Sequence, residues 1–119
     1  MTAPTALVTG STRGIGAATA KALAERGCQV IGHGSRTGPT TIGADFADPG
    51  APQTLWEAAL DLANGRIDVL VNNAGLFAAN PLRASDIAWL DAWEDTLRIN
   101  LTAAAQLSRF AVRDRKSVV

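Results

Sequence analysis

The 119 residues contain no tyrosine, one cysteine, one histidine and one methionine. Without tyrosine there is no phenol for acid–base chemistry. Cys28 has no second cysteine to pair with, which excludes an internal disulfide and makes a reducing, cytoplasmic setting the expectation. An excess of charge is lacking too: 11 lysines and arginines face 11 aspartates and glutamates. That balance argues against a nucleic-acid or anionic-membrane surface. No apolar run approaches the roughly 20 residues needed to span a bilayer. The start, Met1-Thr2-Ala3-Pro4, has neither a basic region nor a long apolar core, so no signal peptide is read. Repeats, low-complexity tracts and a clear linker are missing as well. The length allows one domain at most, or part of one, and no metal centre is expected.

What is present begins with residues 9–16, Thr-Gly-Ser-Thr-Arg-Gly-Ile-Gly. They follow the apolar run Ala6-Leu7-Val8 and open an alanine-rich helical run. A strand, a glycine turn and a helix N-terminus form a phosphate cradle, because the turn and the first helical residues leave backbone amides unpaired at the positive end of the helix dipole. The glycine roles are separable. Gly10 allows the sharp exit from the strand, Gly14 lets backbone approach a pyrophosphate, and Gly16 lets the helix lie close to the strand. The plain alternative is an ordinary tight strand–helix turn.

The rest of the chain alternates in the same way. Residues 5–9 read as a buried strand. Residues 15–26 read as a helix whose Ala17, Ala18, Ala20, Leu23 and Ala24 form a small-residue face, capped by Gly27. Residues 29–32 are expected as a second strand and 40–44 as a third, with 32–41 largely loop. Pro49 and Pro52 fit the opening of a helix running to Asn64-Gly65, with Leu55, Ala58, Ala59 and Leu62 on one face. Residues 67–71 form a continuous apolar run broken only by Asp68, as in a parallel strand buried on both faces. Residues 77–85 read as irregular, broken by Pro81. Asp91 and Glu94 resemble a capping box. The long helix they open would run from Ala92 to Arg113, with Trp93, Leu97, Leu101, Ala104 and Leu107 inward. The charged tail 113–116 reads as solvated, and Ser117-Val118-Val119 as the first residues of a fifth strand. The order strand–helix–strand–strand–helix–strand–helix predicts an α/β, Rossmann-like doubly wound parallel sheet with helices on both faces, cut at the start of its fifth strand.

Three further features join the glycine turn: Asp45-Phe46 after the third strand, Asn72-Asn73-Ala74-Gly75 after the fourth, and Trp93 preceding Asn100 within a helix. As a set, in order and spacing, they strongly resemble the short-chain dehydrogenase/reductase family over essentially the whole chain. The resemblance implies a dinucleotide-binding domain over residues 1–119. In it Gly10, Ser11, Thr12, Arg13, Gly14, Ile15 and Gly16 would hold the pyrophosphate and adenosine ribose, and Asp45 and Phe46 would flank the adenine. Asn73, Ala74 and Gly75 would line the floor near the nicotinamide ribose, and Asn72 would tie neighbouring strands. Asn100 matches the family's active-site asparagine, whose role there is to kink the helix and position a water in a proton relay. Its residue type alone already asks for a reason, since asparagine competes for backbone hydrogen bonds inside a helix; the alternative is a solvent-facing side chain.

The choice of dinucleotide turns on one more absence. An NAD site places an acid at the end of the second strand, and residues 30–37 contain none. They offer Ser35 and Arg36, with Arg13 nearby in the glycine turn, and guanidinium groups match phosphate geometry. NADP is therefore expected over NAD. His33, between two glycines, reads as loop or ribose-edge lining, Cys28 as a small core residue, and Trp56, Trp89 and Trp93 as packing.

The family's chemistry is hydride transfer between NADP and a carbonyl or alcohol substrate. A tyrosine acts as acid/base, a lysine four residues beyond it lowers its pKa, and a serine holds the carbonyl. Lys21 and Lys116 do not fit that pattern, and there is no tyrosine. The sequence therefore reads as the cofactor-binding half of an oxidoreductase, catalytically silent alone. The alternatives are a non-catalytic dinucleotide- or partner-binding module, or a poorly folding truncated product. The parent enzyme is expected as a homodimer or homotetramer, by family only.

Overall fold

The computed structural model describes residues 3–115. Their backbone forms β1 (Thr5–Val8), α1 (Gly14–Glu25), β2 (Gln29–Gly34), β3 (Thr41–Gly43), α2 (Ala51–Leu62), β4 (Val69–Val71), α3 (Asp86–Leu97) and α4 (Ala103–Arg113). A π-helical turn, Arg98–Thr102, joins α3 to α4 without a break. The four strands pair in the order β3-β2-β1-β4, all parallel. This is a Rossmann-like α/β sheet. The residues read as a possible fifth strand, 117–119, lie outside the described residues.

Side-chain alternation along β1 sorts the layers. Leu7 belongs, with Ile31 of β2, to a core completed by Leu55, Trp56 and Ala59 of α2 and by Ala103, Leu107 and Phe110 of α4. Ala6 and Val8, also fully buried, point the other way, where α1 crosses β1 and β2. Gly16 is the one buried residue of α1. Ala17, Ala20 and Leu23 are half-buried beside it, whereas Ala18 and Ala24 are exposed, so the small-residue face is narrower than the composition predicts. Gly27 (φ +91°) closes the helix, as expected for a C-terminal glycine.

Several expectations are corrected. On α2 the buried face is Leu55, Trp56 and Ala59, continued by Ala63, while Leu62 is 58% exposed. Trp56 is fully packed, and its indole Nε1 donates to Asp114 Oδ2 at 2.8 Å, which ties the end of α4 to α2. β4 is an edge strand among the described residues and is only half-buried. Cys28 is half-buried just before β2, not a core residue. β2 runs two residues further than expected, through Gly34. Its glycines serve close approach and not a turn: a Cβ on Gly32 would strike Ser11 Oγ and the Thr40 carbonyl.

The helix expected from Ala92 begins at Asp86. Ser85 is its cap, its Oγ accepting the Ala88 amide at 3.2 Å, so Asp91 and Glu94 are interior. Trp93, Leu97 and Leu101, expected inward, are 49%, 40% and 63% exposed. Trp93 stacks on half-buried Trp89, ring centroids 5.5 Å apart. Ala103, Leu107 and Phe110 carry the packing instead. Among the described residues no helix is long and apolar enough to cross a membrane.

Candidate functional site

The site starts where β1 stops. Parallel strands end together, and the loops that leave them converge at the carboxyl edge of the sheet. β1 lies between β2 and β4, so the turn leaving it is held from both sides. On the β4 side, Thr9 Oγ1 donates to the Val71 carbonyl at 3.3 Å and accepts the amides of Asn73 and Ala74, both at 3.0 Å. Asn73 Nδ2 returns the contact, donating to the carbonyls of Thr9 and Gly10 at 3.2 and 3.1 Å. On the β2 side, the Ser11 amide donates to the His33 carbonyl at 2.9 Å, and Ser11 Oγ accepts the His33 amide at 3.0 Å. The Gly10 amide donates to His33 Nδ1 at 3.0 Å.

Gly16 sets the distance between helix and strand. A Cβ there would overlap the Gly10 carbonyl and Asn73 Nδ2, so only glycine lets α1 start this close to β1. The N-terminus of α1 has no side-chain cap and no acid in its first turn. Its leading amides and their partial positive charge therefore face outward unmatched, a setting that accepts an anion.

They face a cleft of about 700 Å3, within the range of small-molecule and cofactor sites. The glycine turn gives it Gly10, Thr12, Arg13, Gly14 and Ile15; the end of β2 gives His33, Gly34 and Ser35. Ala44, Asp45 and Phe46 line it from beyond β3, and Asn73, Ala74, Gly75 and Leu76 from beyond β4. Ile99 closes the side toward the π-helical turn. Of the residues singled out from sequence, Ser11 and Gly16 lie behind the wall as supports, and Arg36 is exposed outside it. The Asp45 carboxylate is turned back on its own loop, accepting the Ala47 amide at 2.9 Å.

Two residues differ from their expected roles. Asn72 does not join strands: its Nδ2 donates to Ser108 Oγ on α4 at 3.1 Å, and Asn73 makes the β1–β4 connection. His33 lines the cleft, one of its two expected readings, but does so from β2 and not from a loop. It is buried in β2, with Nδ1 on the Gly10 amide, Nε2 at 2.8 Å from the Ala44 carbonyl, and its ring stacked on Phe46 with centroids 4.4 Å apart. An amide at Nδ1 and a carbonyl at Nε2 define the neutral Nε2–H tautomer. Burial holds its pKa below the ordinary 6.5, partly opposed by the bond to Ala44. The signal missed in the sequence was its spacing, two residues after Ile31 on the buried side of the strand.

Asn100 sits in the π-helical turn, exposed and not among the residues that line the cleft. Its Oδ1 accepts the Leu76 amide at 2.7 Å and its Nδ2 donates to the Leu76 carbonyl at 2.8 Å. Each side-chain atom keeps capacity for one further bond.

Comparison with known proteins matches this geometry. The sequence pattern of the short chain dehydrogenase family covers residues 4–117, and the chain belongs to that family. It is 40% identical over 120 residues to the 3-oxoacyl-(acyl-carrier-protein) reductase FabG of Vibrio harveyi, covering 91% of this chain and 48% of that protein. A short chain dehydrogenase from Burkholderia cenocepacia, solved in complex with NADP, superposes with a TM-score of 0.78 at 35% identity, over 92% of this chain and 50% of that one. A blue fluorescent protein from a metagenomic library, solved with NADPH, gives 0.79 at 33% identity, over 94% and 51%. The chain thus spans about half the length of the curated relatives it matches.

Proposed function

We propose that residues 1–119 form the dinucleotide-binding part of an NADP-dependent oxidoreductase. It would pass hydride between the cofactor and a carbonyl or alcohol substrate. The observation that carries this is the uncapped, acid-free N-terminus of α1 opening into a cleft walled by all four strand ends. The glycine turn and α1 amides would hold the pyrophosphate, with Phe46 and Asp45 beside the adenine and Asn73 to Gly75 beneath the nicotinamide ribose. Arg13 and Ser35, both lining the cleft, would receive the 2′-phosphate, with Arg36 reaching in from outside. The bound nicotinamide supplies or accepts the hydride. NADP-bound relatives of the same fold support the choice of cofactor.

The chain's own residues orient the cofactor and exclude water, and Asn100 fixes the backbone at Leu76 beside the wall. No phenol is present to move a proton, so these residues alone are expected to bind and not to turn over. The second reading is a dinucleotide-binding module without catalysis. Titration with NADPH and NADH, followed by nicotinamide fluorescence, separates the cases. Saturable, NADPH-preferring binding is expected, and a folded sample that binds neither dinucleotide refutes the proposal. Turnover of carbonyl substrates by the natural protein distinguishes the enzyme from the module.

A further inference from the structure

His33 joins three segments that would meet the cofactor at different points. Its Nδ1 takes the Gly10 amide at the pyrophosphate turn, its Nε2 holds the Ala44 carbonyl at the start of the loop carrying Asp45, and its ring backs Phe46. The two ring nitrogens need opposite states, one an acceptor and one a donor, so only the neutral imidazole satisfies both neighbours. The Gly10 amide has no other acceptor among the bonds described around the turn.

We propose that His33 is a positioning residue for the dinucleotide: its neutral ring locks the glycine turn to the adenine wall, and a proton on Nδ1 breaks that lock and weakens cofactor binding. This rests on the reading of the cleft as an NADP site. A protonated Nδ1 would set N–H against N–H at Gly10, and the turn would have to swing away from the position that receives the pyrophosphate. The flanking strands β1 and β3 carry no ionisable side chain, and β2 carries no other. The ionisable groups that share the cleft with His33 are Arg13 from the glycine turn and Asp45 from the loop after β3, and the Asp45 carboxylate is engaged with the Ala47 amide. Burial keeps the ring neutral at physiological pH, so the lock is closed there and opens only on acidification.

The test is NADPH affinity against pH for the wild type, His33→Asn and His33→Gln. Asparagine places an oxygen near the Nδ1 position and keeps an acceptor for Gly10; glutamine reaches toward Ala44 and leaves Gly10 unmet. Wild-type affinity is expected to stay level down to the ordinary histidine value and to fall only below it, because burial lowers the pKa of the ring, approaching about tenfold per pH unit once Nδ1 is protonated. The 2′-phosphate of NADPH titrates nearby, so the difference between wild type and His33→Asn is the quantity read. His33→Asn should lose the extra fall, and His33→Gln should bind about tenfold more weakly than wild type at neutral pH and lack the extra fall as well. Superimposable pH profiles for wild type and His33→Asn overturn the lock while leaving the cofactor reading standing; absence of NADPH binding by wild type at neutral pH overturns that reading and the lock with it. A measurement on wild type alone covers the case of variants that do not fold. The 15N shifts of this single histidine should show a bare Nδ1 and a protonated Nε2, with the Gly10 amide moving as the ring titrates. An Nδ1–H tautomer, or a Gly10 resonance indifferent to that titration, overturns the proposal.

Discussion

Asn100 and Leu76 grip each other reciprocally, side-chain oxygen to amide at 2.7 Å and side-chain nitrogen to carbonyl at 2.8 Å. Leu76 has just left β4 and lines the cleft, and Asn100 stands in a π-helical turn. A helix that widens by one residue there can aim a side chain that a regular α-helix would turn elsewhere. The residue type that was anomalous for a helix interior is thus used for its two-sided amide.

Replacing Asn100 by alanine removes both bonds. Each contributes about 1 kcal/mol at most in an exposed position, so a loss of roughly 1–2 kcal/mol in unfolding free energy is expected. Hydrogen exchange at the Leu76 amide should accelerate in parallel. Asn100→Asp should cost more at neutral pH, because it sets a carboxylate against the Leu76 carbonyl, and should recover as that carboxylate is protonated. Wild-type exchange at Leu76 in the alanine variant would show that the pair does not hold the segment.

Gly16 and Gly14 make a contrast within one turn. A Cβ on Gly16 would overlap the Gly10 carbonyl and the Asn73 amide, neither of which can give way without opening β1 from β4. Gly14 has a positive φ of 58° and open space around it. Gly16→Ala is therefore expected to cost about 3 kcal/mol or more, and Gly14→Ala about 1–2 kcal/mol from backbone strain alone. Gly14→Asn should be milder still, since asparagine tolerates that conformation. Thermal denaturation of the three variants tests the order, and equal losses at the two positions would contradict it.

The same residues show what was legible in the sequence. The glycine turn, the alternation of elements and the Asn72–Gly75 segment could be read because each depends on local chain geometry: a sharp exit, a helix period, a strand stop. His33 was misplaced because Gly32 and Gly34 look like loop residues, whereas they are small so that Ser11 and Thr12 can press against β2. That reason is tertiary, and no local pattern carries it. The start of α3 was missed because Pro81 and the polar run after it hid the cap at Ser85. The inward face assigned to Trp93, Leu97 and Leu101 followed helical period correctly, but no described element packs on that face. Periodicity gives a stripe; it does not say what covers it.

Acid should lower the stability of the fold over two pH ranges, for two different reasons. The folded-state pKa of His33 lies below the ordinary 6.5 because its ring is buried, so the unfolded chain takes up a proton first. Its contribution is whole above 6.5 and is lost as pH falls from there through the lowered folded value, with a slope of about 1.4 kcal/mol per pH unit at most. Asp68 is also lowered, first because its carboxylate accepts the Thr5 amide at 2.8 Å and then because Arg66 donates to it at 2.7 Å. Its contribution is whole above the unfolded value of 3.8 and is lost as pH falls through the folded one. Urea denaturation from pH 7 down to about 2 should therefore show an upper loss removed by His33→Asn and, below the ordinary carboxylate value, a lower loss removed by Asp68→Asn. The Asp68 variant should also cost about 1 kcal/mol at neutral pH, a modest figure because the pair is exposed. A single step unaffected by either substitution would assign the acid sensitivity elsewhere.

Cofactor preference gives a test of the cleft's charge. Arg13 lines the cleft beside Ser35, whereas Arg36 is exposed outside it. A planar guanidinium fixed against a 2′-phosphate makes short, charge-assisted bonds that a ribose hydroxyl cannot replace. Arg13→Ala is thus expected to weaken NADPH binding about tenfold or more and to leave NADH nearly unchanged. Arg36 is exposed and does not line the cleft, so Arg36→Ala should have the smaller effect. Arg36→Asp does more than remove a cation: it supplies the acid absent from residues 30–37, which would repel the 2′-phosphate and accept from a 2′-hydroxyl. The NADH-to-NADPH affinity ratio should rise by about tenfold or more. Fluorescence titration with both cofactors reads each ratio directly. An unchanged ratio in Arg13→Ala and Arg36→Asp alike would remove these arginines from phosphate recognition, and a larger loss at Arg36 than at Arg13 would mean that the segment after β2 closes over the bound nucleotide.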